Sequence, residues 1–265
     1  MKIKQIVSAL ERFAPLPLQD GFDNAGLQIG LTEAEATGAL LCLDVTEAVL
    51  DEAIALGYNL VISHHPLIFK GYKSITGKDY VERCILKAIK NDIVIYSAHT
   101  NLDNAYGGVN YKIAEKIGLK NLQVLEPKEN SLQDDLTQAG AGIVGELDEP
   151  ETELEFLKRI KKTFEVGCVR HNRLTGREIQ KVALCGGAGA FLLPRAIRAG
   201  ADVFITGEIK YHDYFGHEGD ILMAEIGHYE SEQYTKEIFY SIIRDLFPNF
   251  ALQSSKINTN PRKYL

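Results

Sequence analysis

The chain has 265 residues, of which 45% are hydrophobic and 25% are charged. Its 23 glycines follow no repeating period, and this composition argues against a collagen, a coiled coil and a disordered chain. A formal net charge of −7 argues against a large nucleic-acid surface, because phosphate binding depends on clustered lysine and arginine. Single cores stop growing near ~250–300 residues, so the length predicts two lobes.

The chain begins with an amphipathic helical pattern that Pro15 and Pro17 interrupt. No apolar run approaches the ~20 residues that a membrane-spanning helix needs. The four cysteines form no Cys-x-x-Cys pair, which is typical of reduced, mostly buried thiols. We therefore expect a cytoplasmic protein that does not act at a membrane.

Between residues 39 and 99 the hydrophobic pattern alternates between strand and helix. It predicts strands over 39–43, 59–63 and 93–98, with helices over 47–56 and 83–90. Short apolar strands that alternate with helices indicate βαβ units, so we predict an α/β fold with mixed, largely parallel sheets. Ligands gather beyond the carboxyl ends of the strands in such sheets.

A second βαβ unit later in the chain aligns with the first one without gaps. Leu41-Cys42 then corresponds to Leu184-Cys185, and Ile62-Ser63 to Ile205-Thr206. The match is either an internal duplication or the shared pattern of all βαβ units. It places Gly207-Glu208 at the position of His64-His65, which marks Glu208 as a candidate site residue.

The segments after residue 125 complete the two predicted lobes. Residues 126–140 are polar and predict a surface connection. A strand near 143–144, a helix over 151–163, a strand over 166–169, a strand over 221–226 and a helix over about 231–246 follow. We expect residues 1–125 with 225–265 to form the first α/β lobe, which carries the metal ligands, and residues 126–224 to form the second.

Four of the seven histidines fall at predicted carboxyl ends of strands, namely His64, His65, His99 and His228. An adjacent pair such as His64-His65 can be a solvated turn, or it can point both imidazoles into one pocket. Scattered surface histidines would rarely all follow strands. The pattern therefore favours a shared pocket.

Two of these histidines begin the pattern His-x-x-x-acid, with Asp103 four residues after His99 and Glu232 four residues after His228. Such a pair can hold one ion or can simply lie on a helix surface. Imidazoles with carboxylates suit Zn, Mn, Fe, Ni or Co rather than Ca. Five or more ligands exceed one tetrahedral site, which favours two metals with Glu232 as the bridging carboxylate.

Several motifs together closely resemble the NIF-three-like family, whose members are often labelled GTP cyclohydrolase 1 type 2 homologs. They run in order along nearly the whole chain, at Phe22–Gly30, Ile62–Phe69, Ser97–Asp103, Thr206–His212 and Gly227–Glu232.

The resemblance implies a dinuclear metal site with the ligands His64, His65, Asp103, His228 and Glu232. It also implies two α/β lobes around a cleft and a ring-shaped homohexamer. Residues 125–182 are too few for the large inserted domain of some relatives, so we assign the chain to the compact form.

His99 is not among the ligands that the resemblance implies. It either transfers protons or orients a neighbouring ligand, or it makes a structural hydrogen bond within its loop. Glu208 and His212 either face the metals or cap a helix and pair with Lys210.

Lys70 and Lys73 follow the His-His segment on a glycine-containing loop. They either meet an anionic substrate or lie in solvent, and solvent is the commoner case. The turn Gly186–Gly189 could bind phosphate, but it lacks a full phosphate-binding fingerprint, so a tight structural turn is favoured.

Three functions remain open from the sequence. The favoured one is a metal-dependent hydrolase that acts on a nucleotide or related heterocycle, with His99 or Glu208 transferring protons. The second is a non-catalytic metal-binding or regulatory protein that forms a ring. The third is a scaffold in which the metals only brace the fold.

Overall fold

A computed structural model describes residues 1–128, 139–217 and 219–265. Two compact units divide the chain, one of Met1–Leu102 with Thr235–Pro261 and the other of Asp103–Tyr234 with Arg262–Leu265. Most of the predicted surface connection, residues 129–138, lies outside the described residues. The predicted cleft stays a prediction.

Both units mix strands and helices, as the sequence predicts. The strands are β1 (Gly26–Ile29), β2 (Ala39–Cys42), β3 (Leu60–Ser63), β4 (Val94–Ser97), β5 (Lys120–Pro127), β6 (Gly140–Thr152), β7 (Arg170–His171), β8 (Glu178–Cys185), β9 (Val203–Thr206), β10 (Leu222–Glu225) and β11 (Leu252–Ser254). The helices are α1 (Ile3–Phe13), α2 (Glu47–Leu56), α3 (Tyr80–Lys90), α4 (Thr100–Asp103), α5 (Val109–Ile117), α6 (Glu153–Thr163), α7 (Leu193–Arg198), α8 (His228–Glu232) and α9 (Thr235–Leu246).

The first unit is built on a sheet with the strand order β1-β4-β3-β2-β11. Strands β2, β3 and β4 are parallel and buried along their whole length, and β1 closes one edge as an antiparallel strand. Ser63 at the end of β3 lies opposite Cys42 of β2 and Ser97 of β4. The segments that begin with Leu43, His64 and Ala98 therefore leave the sheet at the same edge.

The helices of the first unit begin where the sequence places helix signals. Helix α2 starts after Thr46, whose hydroxyl accepts a hydrogen bond from the backbone N–H of Val49. Helix α3 starts after Asp79, whose carboxylate accepts from the N–H of Glu82. Apolar residues of both helices, including Val49, Leu50, Cys84 and Ile85, are buried in one core cluster with the strand residues Val61 and Ile95.

The second unit has a sheet with the strand order β5-β6-β8-β9-β10-β7. Strands β8, β9 and β10 are parallel, and the other pairs are antiparallel. Within 125–182 the strands and helices of the described residues are strands of this sheet and α6, which agrees with the compact form.

The two predicted βαβ units are present, one in each compact unit. Strands β2 and β3 with α2 form the first, and β8 and β9 with α7 form the second. β3 ends at Ser63 and β9 ends at Thr206, as the gap-free alignment predicts. His64-His65 and Gly207-Glu208 thus follow equivalent strands.

Two predicted elements are wrong. The predicted strand over 166–169 is absent because Glu165 has φ +55° and the N–H of Val166 bonds back to Lys161 at the end of α6. The short edge strand begins only at Arg170.

The predicted helix over 231–246 is two helices, α8 and α9, because the chain turns at Gln233 and Tyr234. Their side chains donate hydrogen bonds to the carbonyl oxygens of Phe164 and Thr163 at the end of α6. Of the helices in the described residues, none has the length and apolar character to cross a membrane.

Candidate metal centre

His64 and His65 leave β3 with their backbones still bonded to the neighbouring strand end. The N–H of His64 donates to the carbonyl oxygen of Cys42, and that of His65 donates to the carbonyl oxygen of Leu43 at 2.9 Å. His64 is fully buried. These backbone hydrogen bonds fix the positions of the main chain from which the two imidazoles extend.

Each imidazole is also held through its Nδ1 atom. Nδ1 of His64 lies 2.9 Å from the carbonyl oxygen of Ala98, and Nδ1 of His65 lies 2.7 Å from Oδ1 of Asp44. A carbonyl or carboxylate oxygen only accepts, so both Nδ1 atoms carry the hydrogen. In the neutral rings Nε2 then keeps its lone pair, which is the form that binds a metal ion.

Asp44 is itself held as a carboxylate. Burial raises its pKa, but the hydrogen bond from His65 and one from the Thr259 hydroxyl oppose this, and the net pKa lies below its usual value. Asp44 was not predicted as a site residue, although it follows β2 as His65 follows β3. No sequence motif pointed to Thr259.

His99 joins the two histidines at the same edge of the sheet. Its ring centroid lies 5.2 Å from that of His64 and 5.5 Å from that of His65. Each of the three imidazoles offers a nitrogen within 4.8 Å of the other two. The first unit therefore brings together three potential ligands. One of them, His99, is not among the ligands that the resemblance implies.

Asp23 holds His99 from the other side. Its Oδ1 lies 2.8 Å from Nδ1 of His99, and its Oδ2 accepts from the backbone N–H and the hydroxyl of Thr100. Burial alone would raise the pKa of Asp23, but these hydrogen bonds outweigh it and lower the pKa to about 2. Asp23 is therefore ionised at neutral pH and keeps a proton on Nδ1 of His99.

The free energy of unfolding is expected to depend on pH through Asp23. Its pKa falls from 3.8 to about 2 on folding, so its contribution is complete above pH 3.8 and is lost as the pH falls through 2. Urea unfolding of the wild type and of Asp23→Asn should differ most above that window. The difference should shrink in acid, whereas the exposed control Asp245→Asn should show no such trend. A constant difference for Asp23→Asn would contradict the assignment.

In the second unit, His228 lies between two carboxylates. Its Nε2 is 3.1 Å from Oε2 of Glu232, and its Nδ1 is 3.4 Å from Oε1 of Glu208. The first contact follows from the i, i+4 spacing on α8. Arg262 also donates to Oε1 of Glu208 at 2.7 Å. The alignment therefore found a residue that contacts a predicted ligand.

Glu232 is 3% exposed and lies near another predicted ligand of its own unit. A carboxylate oxygen of Asp103 lies within 4.8 Å of a carboxylate oxygen of Glu232. Two buried or half-buried carboxylates at this distance repel each other, and a divalent cation would relieve that repulsion.

The turn Gly186–Gly189 packs against Glu232. A Cβ atom at Gly187 would lie 2.3 Å from Oε1 of Glu232, and Gly187 has φ +61°. Its N–H donates to the Ser231 hydroxyl at 3.0 Å. These contacts agree with the favoured interpretation as a tight structural turn. Because Gly187 has no side chain, the turn leaves room for the Glu232 carboxylate.

Three other candidate residues are exposed, namely Lys70, Lys73 and His212. His212 is exposed beside Tyr211, at a ring distance of 5.2 Å. Among the described residues, the groups of three potential metal ligands include neither His212 nor Glu208. Lys70 and Lys73 are exposed on the loop after His65.

Known proteins match this chain over nearly its whole length. The family model described as Duf34/NIF3 (NGG1p interacting factor 3) matches residues 1–261. The chain is 37% identical over 235 residues to a GTP cyclohydrolase 1 type 2 homolog of Clostridium perfringens, with 88% of this chain and 87% of the relative covered. A homolog of the same name from Lactococcus lactis is 34% identical over 271 residues, with 98% of both chains covered.

A solved structure has the same fold. The crystal structure of a hypothetical protein from Staphylococcus aureus superposes with a TM-score of 0.91 at 31% sequence identity. The match covers 100% of this chain and 99% of the other.

Proposed function

Because the chain belongs to the Duf34/NIF3 family, we propose that it is a metal-dependent hydrolase with a dinuclear site. The proposed ligands are His64, His65, Asp103, His228 and Glu232, with Glu232 as the bridge. The metals are divalent ions chosen from Zn, Fe, Mn, Ni and Co, since the donors are imidazoles and carboxylates.

The orientation of the imidazoles carries this proposal. Ala98 and Asp44 hold the Nδ1 atoms of His64 and His65, which leaves both Nε2 atoms as donors to a metal. Glu208 faces Nδ1 of His228 and leaves its Nε2 beside Glu232. The imidazoles of His64, His65 and His228 thus each have an oxygen atom next to Nδ1. Metal-binding histidines normally have such a partner on the ring nitrogen that does not bind the metal.

Two bound ions would supply a water of lowered pKa, about 7, and would polarise the bond under attack. His99 is proposed to move a proton at Nε2, because the Asp23 carboxylate holds its Nδ1 and fixes the ring. Glu208 is engaged by Arg262 and His228, so its proposed task is to orient His228.

The proposed substrate is a nucleotide or a related heterocycle. It is suggested by the name of the relatives, GTP cyclohydrolase 1 type 2 homolog, which is a statement about those proteins. The ring-shaped hexamer and the cytoplasmic location stay predictions.

Elemental analysis of protein purified without added metal, followed by a substrate screen with the matched ion, tests the proposal. We expect about two ions per chain and turnover that Asp103→Ala abolishes. One tightly bound ion per chain would contradict the dinuclear site. Full metal content without turnover of any screened substrate would instead favour the non-catalytic metal-binding or regulatory ring.

A further inference from the structure

A groove of about 630 Å³ lies in the second unit, and its lining residues include none of the proposed metal ligands. Its walls are the edge strand β7 with the residues that follow it, and the short 3-10 helix Tyr211–Tyr214 after β9. This volume is within the ~300–1,000 Å³ typical of small-molecule sites.

Two guanidinium groups line the groove, those of Arg170 and Arg173. Arg170 forms an ion pair with Glu225, which is 2% exposed, while its own side chain remains 61% exposed. Arg173 is exposed and forms no ion pair within the described part of the chain. One arginine is anchored by a buried carboxylate and the other is available, which favours an anionic ligand.

The opposite wall is aromatic. Tyr211 is 73% exposed and Phe215 is 56% exposed, and their ring centroids lie 5.4 Å apart. Tyr214 donates its hydroxyl to Oε2 of Glu225 at 3.1 Å, so Glu225 connects this wall to Arg170. Exposed aromatic faces of this kind stack on planar rings.

We propose that the groove binds a planar aromatic ring that bears a phosphate, with the size of a nucleoside monophosphate. The phosphate lies at Arg170 and Arg173, and the ring stacks on Tyr211 and Phe215. Guanidinium forks match phosphate oxygens, and the net charge of −7 on the whole chain disfavours a long polyanion in the same groove. The inference goes beyond the proposed hydrolase, because binding here needs neither metal nor turnover.

Isothermal titration calorimetry of the metal-loaded full chain with AMP tests the site. AMP should bind at least about tenfold more tightly than adenosine, since the phosphate adds its contacts with the two arginines. Arg173→Ala and Tyr211→Ala should each weaken AMP binding by about tenfold. Arg198→Ala removes an exposed arginine elsewhere in the same unit and should leave the affinity unchanged.

The groove variants also separate this groove from the proposed metal site. Arg173→Ala and Tyr211→Ala should hold as much metal as the wild type while they lose AMP affinity, whether or not the hydrolase proposal is correct. The groove assignment is overturned if AMP does not bind, if adenosine binds as tightly, or if both groove substitutions leave AMP affinity unchanged. Circular dichroism of each variant checks that the fold is retained.

Discussion

Replacement of Glu232 by glutamine is expected to lower the metal content from about two ions per chain to one or fewer. Glutamine keeps the size of the side chain but is neutral and cannot bridge two cations as a carboxylate does. Oε2 of Glu232 lies 3.1 Å from Nε2 of His228, so the substitution removes a charge that contacts another proposed ligand. Turnover of any substrate found by screening should fall by more than ~100-fold, since a ligand matters more than its outer partners.

The measurement is elemental analysis after dialysis, together with competition against a chelator of known affinity. Glu149→Gln is the matched control, because it removes an exposed glutamate from the same unit. The control should bind as much metal as the wild type. A Glu232→Gln protein that still holds about two ions at unchanged affinity would show that Glu232 is not a ligand.

The cluster of histidines could be predicted because its causes are local. The apolar runs of β2, β3 and β4 alternate with helical segments, and parallel strands place their carboxyl ends at one edge of a sheet. His64, His65 and His99 each follow such an end, so their closeness follows from the strand pattern. The limits of α2 likewise follow from Thr46 and the apolar period.

The partners that orient these histidines could not be predicted. Asp23 and His99 are 76 residues apart, and their contact depends on the antiparallel pairing of β1 with β4. Thr259 and Asp44 are 215 residues apart and meet because β11 pairs with β2. Neither pairing leaves a local signal. Helix periodicity also continued across Gln233 and Tyr234, where tertiary hydrogen bonds to α6 end the helix.

Replacement of Gly187 by alanine is expected to weaken metal binding without removing a ligand. The new Cβ would lie 2.3 Å from Oε1 of Glu232, so the carboxylate must shift. Displacement of a group that seats a ligand typically costs about 10–100-fold in metal affinity. The positive φ of Gly187 adds a cost of roughly 1–3 kcal/mol to the free energy of unfolding.

Gly200→Ala separates these two effects. Gly200 lies in the same unit and has φ +70°, but a Cβ there meets no atom within 4 Å. Both variants should therefore lose stability in urea unfolding, and only Gly187→Ala should lose metal affinity in the chelator competition. Equal metal affinity in the two variants would mean that Glu232 can shift without consequence, which would contradict its role as the bridging ligand.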